Sequence, residues 1–272
     1  MLFRAGLFLA SLSACVSLAA APPPPTAALT PEQMSQAIRT DELTIPTPGE
    51  LFAALAKPGK PDWSGQYRGP IPVTYSNRAQ IALNLGGLVA DGFIAVEAQD
   101  TQQVKNIGSD IIKLAKSLGV SENVLSRGKS IGEFADGDKW NALQEELEAT
   151  QNEVKTSMQS NHDQDYVILV SLGGWIRGTQ VVTGLLMKEY TEAGAKVLRQ
   201  PALVEFIQSK LDAMAPELRN DPLVKSIDAQ LPEIQKLVSV GNNGIPTAED
   251  VRSLHAAVTK LMDEIQKKTE TK

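Results

Sequence analysis

The chain has 272 residues, with 26 Lys and Arg against 32 Asp and Glu for a net charge of −6, and a single cysteine, Cys15. An acidic balance with interspersed charge supplies no phosphate-neutralising basic face, so nucleic acid is excluded as an expected partner. The lone cysteine at the N-terminus leaves the rest of the chain without a disulfide framework, a thiolate metal site or a cysteine nucleophile. Aromatic residues make up 5%, too few for the platforms of a carbohydrate-binding β-sandwich.

Arg4 is the only charge ahead of an apolar run from Ala5 to Leu12. A short basic start followed by about 7–15 apolar residues reads as an export signal, here residues 1–21, and is too short to span a bilayer. Leu12-Ser13-Ala14-Cys15 resembles the lipobox of bacterial lipoproteins, which makes Cys15 a candidate lipidation site. The alternative is ordinary cleavage after Ala19, with Ser17 and Ala19 at the small-residue positions. Pro22 to Pro25 open a proline-rich spacer over residues 22–29, a stiff polyproline II segment.

Helix signals follow. Thr30-Pro31-Glu32-Gln33 and Thr47-Pro48-Gly49-Glu50 read as capping boxes with proline at the first helical position, predicting short helices near 31–39 and 48–56. Residues 57–75 are rich in proline and glycine and form an expected strap within 30–76. The stretch 70–75 could supply one short edge strand, since its prolines forbid a central one. Trp63, Tyr67 and Tyr75, with Arg68 between them, could form a surface for recognition; the competing reading is that they pin the strap to the helical body.

From residue 77 the pattern is helical throughout. Residues 77–100 and 166–190 are apolar on nearly all faces, as befits helices at the centre of a bundle. Val104, Ile107, Ile111, Leu114 and Leu118 recur at helical spacing and stop at Gly119. An amphipathic helix is marked by Trp140, Leu143, Leu147 and Val154, and further helices are predicted over 201–214, 222–240 and 247–268. About eleven helices and no convincing sheet make the chain all-α, a multi-helix bundle.

Leu83 to Val89 and Val170 to Ile176 each carry Leu-Gly-Gly inside an apolar helix, 87 residues apart, and Leu143, Leu147, Gln151 and Val154 match Ile227, Leu231, Gln235 and Val238 at an offset of 84. An internal duplication over 77–160 and 164–240 accounts for both, as does the general likeness of helical heptads. A mid-helix glycine costs about 1 kcal/mol relative to alanine, which is tolerable where two backbones meet. The two glycine-containing central helices are therefore expected to cross near their glycines.

At 100° per residue Gln80, Asn84 and Asp91 share one stripe of the first central helix, and Arg177, Gln180 and Lys188 lie together on the second. Asp91 and Arg177 are an acid and a base in the least polar parts of the chain, where an unpaired charge is costly. They read either as a buried ion pair fixing the two helices in register or, with Gln180 and Asn84, as a polar pocket for a small ligand. Gly128-Lys129-Ser130 lacks the first glycine of a phosphate-binding loop, since position 123 is Asn123. His162 and His255 are the only histidines and neither has a second histidine one turn away. No catalytic residue, metal site or cofactor is expected.

The sequence thus predicts an exported, lipid-anchored or periplasmic all-α protein of a bacterial cell envelope, meeting the membrane only through its N-terminal anchor. It is expected to act as a non-enzymatic interaction or scaffold module for a protein partner. The alternative is a small-ligand binder with a polar cleft between the central helices, which requires Asp91 and Arg177 to line an open space. Homodimerisation would require an exposed apolar stripe on 247–268.

Overall fold

A computed structural model describes residues 45–56, 61–160, 163–239 and 244–267. The export signal, Cys15, the proline-rich spacer, the helix predicted near 31–39 and His162 lie outside the described residues. Within them the fold is all-α: α1 (Pro48–Ala56), a 3-10 turn (Ser64–Gln66), α2 (Arg78–Glu97), α3 (Thr101–Leu118), α4 (Glu122–Asp136), α5 (Trp140–Ser160), α6 (Gln164–Lys188), α7 (Glu192–Val197), α8 (Pro201–Asp212), α9 (Pro216–Arg219), α10 (Pro222–Ser239) and α11 (Ala248–Gln266). Residues 70–75 form no strand; Ile71, Val73 and Tyr75 pack against the helical core. A segment with two prolines has no strand to pair with among the described residues.

Local chemistry explains most of the helix ends. Thr47 and Glu50 close the expected capping box on α1, Glu50 N donating to Thr47 Oγ1 at 3.2 Å and Thr47 N to Glu50 Oε2 at 2.7 Å. Asn77 caps α2 by accepting from the amides of Ala79 and Gln80. Gly119 ends α3 in the left-handed region at φ 79°, a conformation glycine adopts without penalty. Helix α4 escapes the periodicity reading, because Gly128, Gly132 and two serines dilute its apolar repeat.

The centre of the molecule is the pair α2 and α6. A Cβ on Gly86 would overlap the carbonyl oxygen of Val170 and lie 2.6 Å from Gly174 N, and one on Gly173 would overlap the carbonyl oxygen of Leu83. The two backbones touch at these glycines. Contacts advance together along both chains: Arg78 Nη2 meets Asp163 Oδ2 at 2.7 Å at the start, and Asp91 meets Arg177 further on. The helices therefore run parallel, and parallel neighbours need a long connection. Helices α3, α4 and α5 form it, running antiparallel, parallel and antiparallel to α2 before the chain enters α6.

Helix α2 is long and apolar enough to cross a membrane by length and composition, yet nearly all of it is enclosed by other helices. On one side of the pair lies the α3–α5 layer. On the other sit the strap and α11, with α10 behind α11 and α8 behind α10, while α1 packs on α6 beside α5, its Gly49 against Phe93 of α2. The apolar stripe of α11 (Val251, Leu254, Val258, Leu261 and Ile265) is buried, so the face through which the sequence allows dimerisation points into the protein.

Alanine at Gly86 or at Gly173 would force the central pair apart, and each substitution is expected to lower stability by about 3 kcal/mol or more. Urea unfolding of the two variants checks this; a loss near the ~1 kcal/mol helix-propensity scale, or a gain, would contradict the backbone contact.

Candidate functional site: a sealed polar cluster and an apolar cavity

Asp91 and Arg177, predicted as either a pair or a pocket, form a buried ion pair: Arg177 Nε donates to Asp91 Oδ1 at 2.8 Å, with side-chain exposures of 5% and 8%. The pair is closed by a partner not foreseen, Arg68 of the strap, whose Nε donates to Asp91 Oδ2 at 2.7 Å. Its Nη2 lies 2.5 Å from the same oxygen but off the hydrogen-bonding direction, and Nη1 finds no acceptor among the described residues. Burial pulls the Arg68 guanidinium below its usual range, Asp91 opposing the shift and Arg177 adding to it. Gly87 makes room for this arrangement, since a Cβ there would lie 3.2 Å from Arg68 Nη2.

The remaining polar residues extend the cluster towards α11. Arg177 donates to Gln180 Oε1 at 2.8 Å and to the carbonyl of Gln66 at 2.6 Å, and Gln180 donates to Thr259 Oγ1 at 3.0 Å. His255, in contact with Thr183 Oγ1 at 2.9 Å, is held below its ordinary pKa mainly by burial; a backbone hydrogen bond at Gln180 opposes this and Arg177 reinforces it. Asn84 belongs elsewhere. With Gln80 it donates to the carbonyl of Ile265, and Gln80 also to that of Lys267, so the two amides satisfy the open C-terminal carbonyls of α11.

Among the described residues Asp91 and Arg177 therefore line no open polar cleft, the alternative that the sequence allows, because they are paired with each other and covered by the strap. Trp63 and Tyr67 are likewise not a free recognition surface. Trp63 is buried against Phe52, ring centroids 5.2 Å apart, and Tyr67 is half-buried with its hydroxyl 3.4 Å from Asp100 Oδ2. Burial and Asp100 push the Tyr67 phenol up to about 12; burial, partly offset by Arg68, does the same for Tyr75.

What sequence reasoning missed lies on the opposite face of α2. Between the central pair and the α3–α5 layer the chain's own side chains leave a cavity of about 460 Å³. The layer touches the pair at its two ends. At one, Ala95, Val96, Val104, Ala135 and Leu143 form a small separate core; at the other, Leu114, Leu118 and Met158 join the main core. The cavity fills the interval, walled by Leu85, Val89 and Phe93 of α2, Ile111 and Ile112 of α3, Leu125 and Ile131 of α4, Leu147 and Val154 of α5, and Val167 and Val170 of α6. Its size falls within the roughly 300–1,000 Å³ of small-molecule sites, which are mostly apolar.

Four glycines also line it: Gly92, Gly108, Gly128 and Gly132. A Cβ on Gly108 or Gly132 would meet nothing within 4 Å among the described residues. Both sit mid-helix, where alanine would be more stable by about 1 kcal/mol, so no local clash accounts for them. Both lie on the wall of the cavity. A run of mid-helix glycines without a crossing partner is the signal in the sequence that could have revealed the space.

No protein-family model matches the chain, and neither a curated protein nor a solved structure is significantly similar to it. Among the described residues no cluster of three or more His, Cys, Asp or Glu is placed to hold a metal.

Removing the carboxylate strands two arginines in a covered site, so Asp91→Asn is expected to cost about 3–5 kcal/mol. Arg68→Met leaves the Arg177–Asp91 pair intact and should cost clearly less. Equilibrium unfolding gives the order; equal losses would mean that the strap contact, not the central pair, dominates.

Proposed function

We propose that this protein binds an apolar small molecule in the cavity between α2, α6 and the α3–α5 layer, acting as a binding module without catalysis. The observation that carries the reading is the cavity, with glycine kept at Gly108 and Gly132 where side chains would narrow it. Apolar walls held apart across a space that is partly open to solvent forgo the contact energy of close packing. A fold that keeps such an interior gains it back when the interior is occupied. The scaffold reading has less behind it: among the described residues, the large apolar side chains standing exposed are Met187 and Tyr190, a small patch for a partner protein.

The reading includes export to a bacterial cell envelope and attachment through Cys15, supported by Arg4, the apolar run and the lipobox-like Leu12 to Cys15. A hydrophobic ligand carrier or sensor fits that setting, where amphiphiles are abundant.

Titration with N-phenyl-1-naphthylamine, a neutral probe that brightens in apolar surroundings, tests the site. Saturable binding is expected, weakened at least tenfold by Gly108→Leu or Gly132→Leu, which fill the cavity, and unchanged by Gly69→Leu, where a side chain also meets open space but on the strap. Thermal melts establish that each variant is folded. Binding indifferent to the filling variants would sink the proposal.

For the location, the intact mass of protein recovered from envelope membranes is expected to correspond to a chain starting at Cys15 with added acyl groups. An unmodified start near Ala20 would replace the anchored form with a free exported one.

A further inference from the structure

The cavity has one charged edge. We infer that its ligand is a single-chain amphiphile with an anionic head, the chain lying among the apolar side chains between α2, α5 and α6 and the head meeting Lys105, Lys113 and Lys116 on α3. This rests on the reading of the cavity as a binding site and adds to it the chemical class of the ligand.

Among the described residues that line the cavity, four are exposed: Lys105, Ser109, Lys113 and Lys116. All are on α3, and at 100° per residue they fall on one stripe. The neighbouring stripe, Val104, Gly108, Ile111 and Ala115, faces inward along the same length of helix. A ligand entering the cavity from water therefore passes the lysine stripe. Three cations and no carboxylate line the cavity, in a chain whose net charge is −6. Even with Asp110 and Asp136 set against Lys113 and Lys105 this edge keeps a positive balance, as a site for an anion requires.

The lysines are available. Lys113 pairs with Asp110 at 2.8 Å and Lys105 with Asp136, both in solvent-exposed pairs, and such pairs contribute little to stability. Lys116 has no ion-pair partner among the described residues. Their stems can cover the apolar edge while their ammonium groups reach a head at the surface. An apolar cavity of ~150 Å³ accepts a benzene molecule; this one is about three times larger, which suits a chain on the order of a dozen carbons or somewhat more. A free fatty acid and a monoacyl phospholipid share this chemistry and differ in the anion, carboxylate or phosphate.

Displacement of N-phenyl-1-naphthylamine by four twelve-carbon amphiphiles tests the inference, each below its micelle concentration and with far-UV circular dichroism recorded throughout. Dodecanoate and dodecyl phosphate are expected to displace the probe at least tenfold more effectively than dodecyltrimethylammonium, with dodecanol between them, and added salt should shrink the gap. The Lys113→Glu/Lys116→Glu variant, read against its own probe affinity, should lose the gap or reverse it. Dodecanoate ahead of dodecyl phosphate points to a fatty acid, the opposite order to a phospholipid. Equal displacement by all four heads, or a gap that survives the double variant, overturns the anionic class while leaving the cavity as a binding site. No probe binding to the unaltered protein overturns both.

Discussion

Backbone contact between α2 and α6 is the constraint from which the rest of the structure follows. Gly86, Gly173 and Gly174 let the two helices approach until a carbonyl of each touches the other, a distance no side-chain-mediated packing reaches. Because the pair is parallel, the chain must travel back along its whole length between them, and three helices make that journey. A crossover of three helices cannot follow the surface of a tightly crossed pair everywhere. It seats at its two ends and arches between them, and the cavity lies under the arch.

The same crossing divides polarity between two faces. Asp91 and Arg177 come within hydrogen-bonding distance one to two turns beyond the glycines, and Arg68 reaches them from the strap. Two guanidinium groups on one carboxylate do not stabilise much by charge alone, since desolvation opposes the attraction. Their value is positional: the cluster joins α2, α6 and the strap at one point, and Gln180 and Thr259 carry the connection to α11. With its hydrogen bonds directed inward and the strap above, this face is closed. The opposite face of α2 bears Leu85, Val89 and Phe93 and remains open inside, bordered by lysines.

Glycines thus serve two opposed ends in neighbouring helices. At Gly86 and Gly173 the place of the missing Cβ is taken by another backbone; at Gly108 and Gly132 no described residue comes within 4 Å of it. Both kinds carry the same entropic cost in a helix, and both read identically as letters. Only their surroundings separate a packing glycine from a cavity glycine.

The sequence by itself determined the helical class, the capping box of α1, the Gly119 stop of α3, the centrality of α2 and α6, and their approach at Leu-Gly-Gly, because each depends on local propensity or on the period of apolar residues. It also brought Asp91 and Arg177 forward, since charges in apolar helices must find partners. Tertiary structure alone decided that the strap delivers Arg68, that Trp63 points inward, that Asn84 serves the end of α11, and that α3 to α5 stand off the central pair. Those outcomes depend on which distant segments meet, and the volume left between packed helices is a property of their arrangement that no stretch of residues encodes.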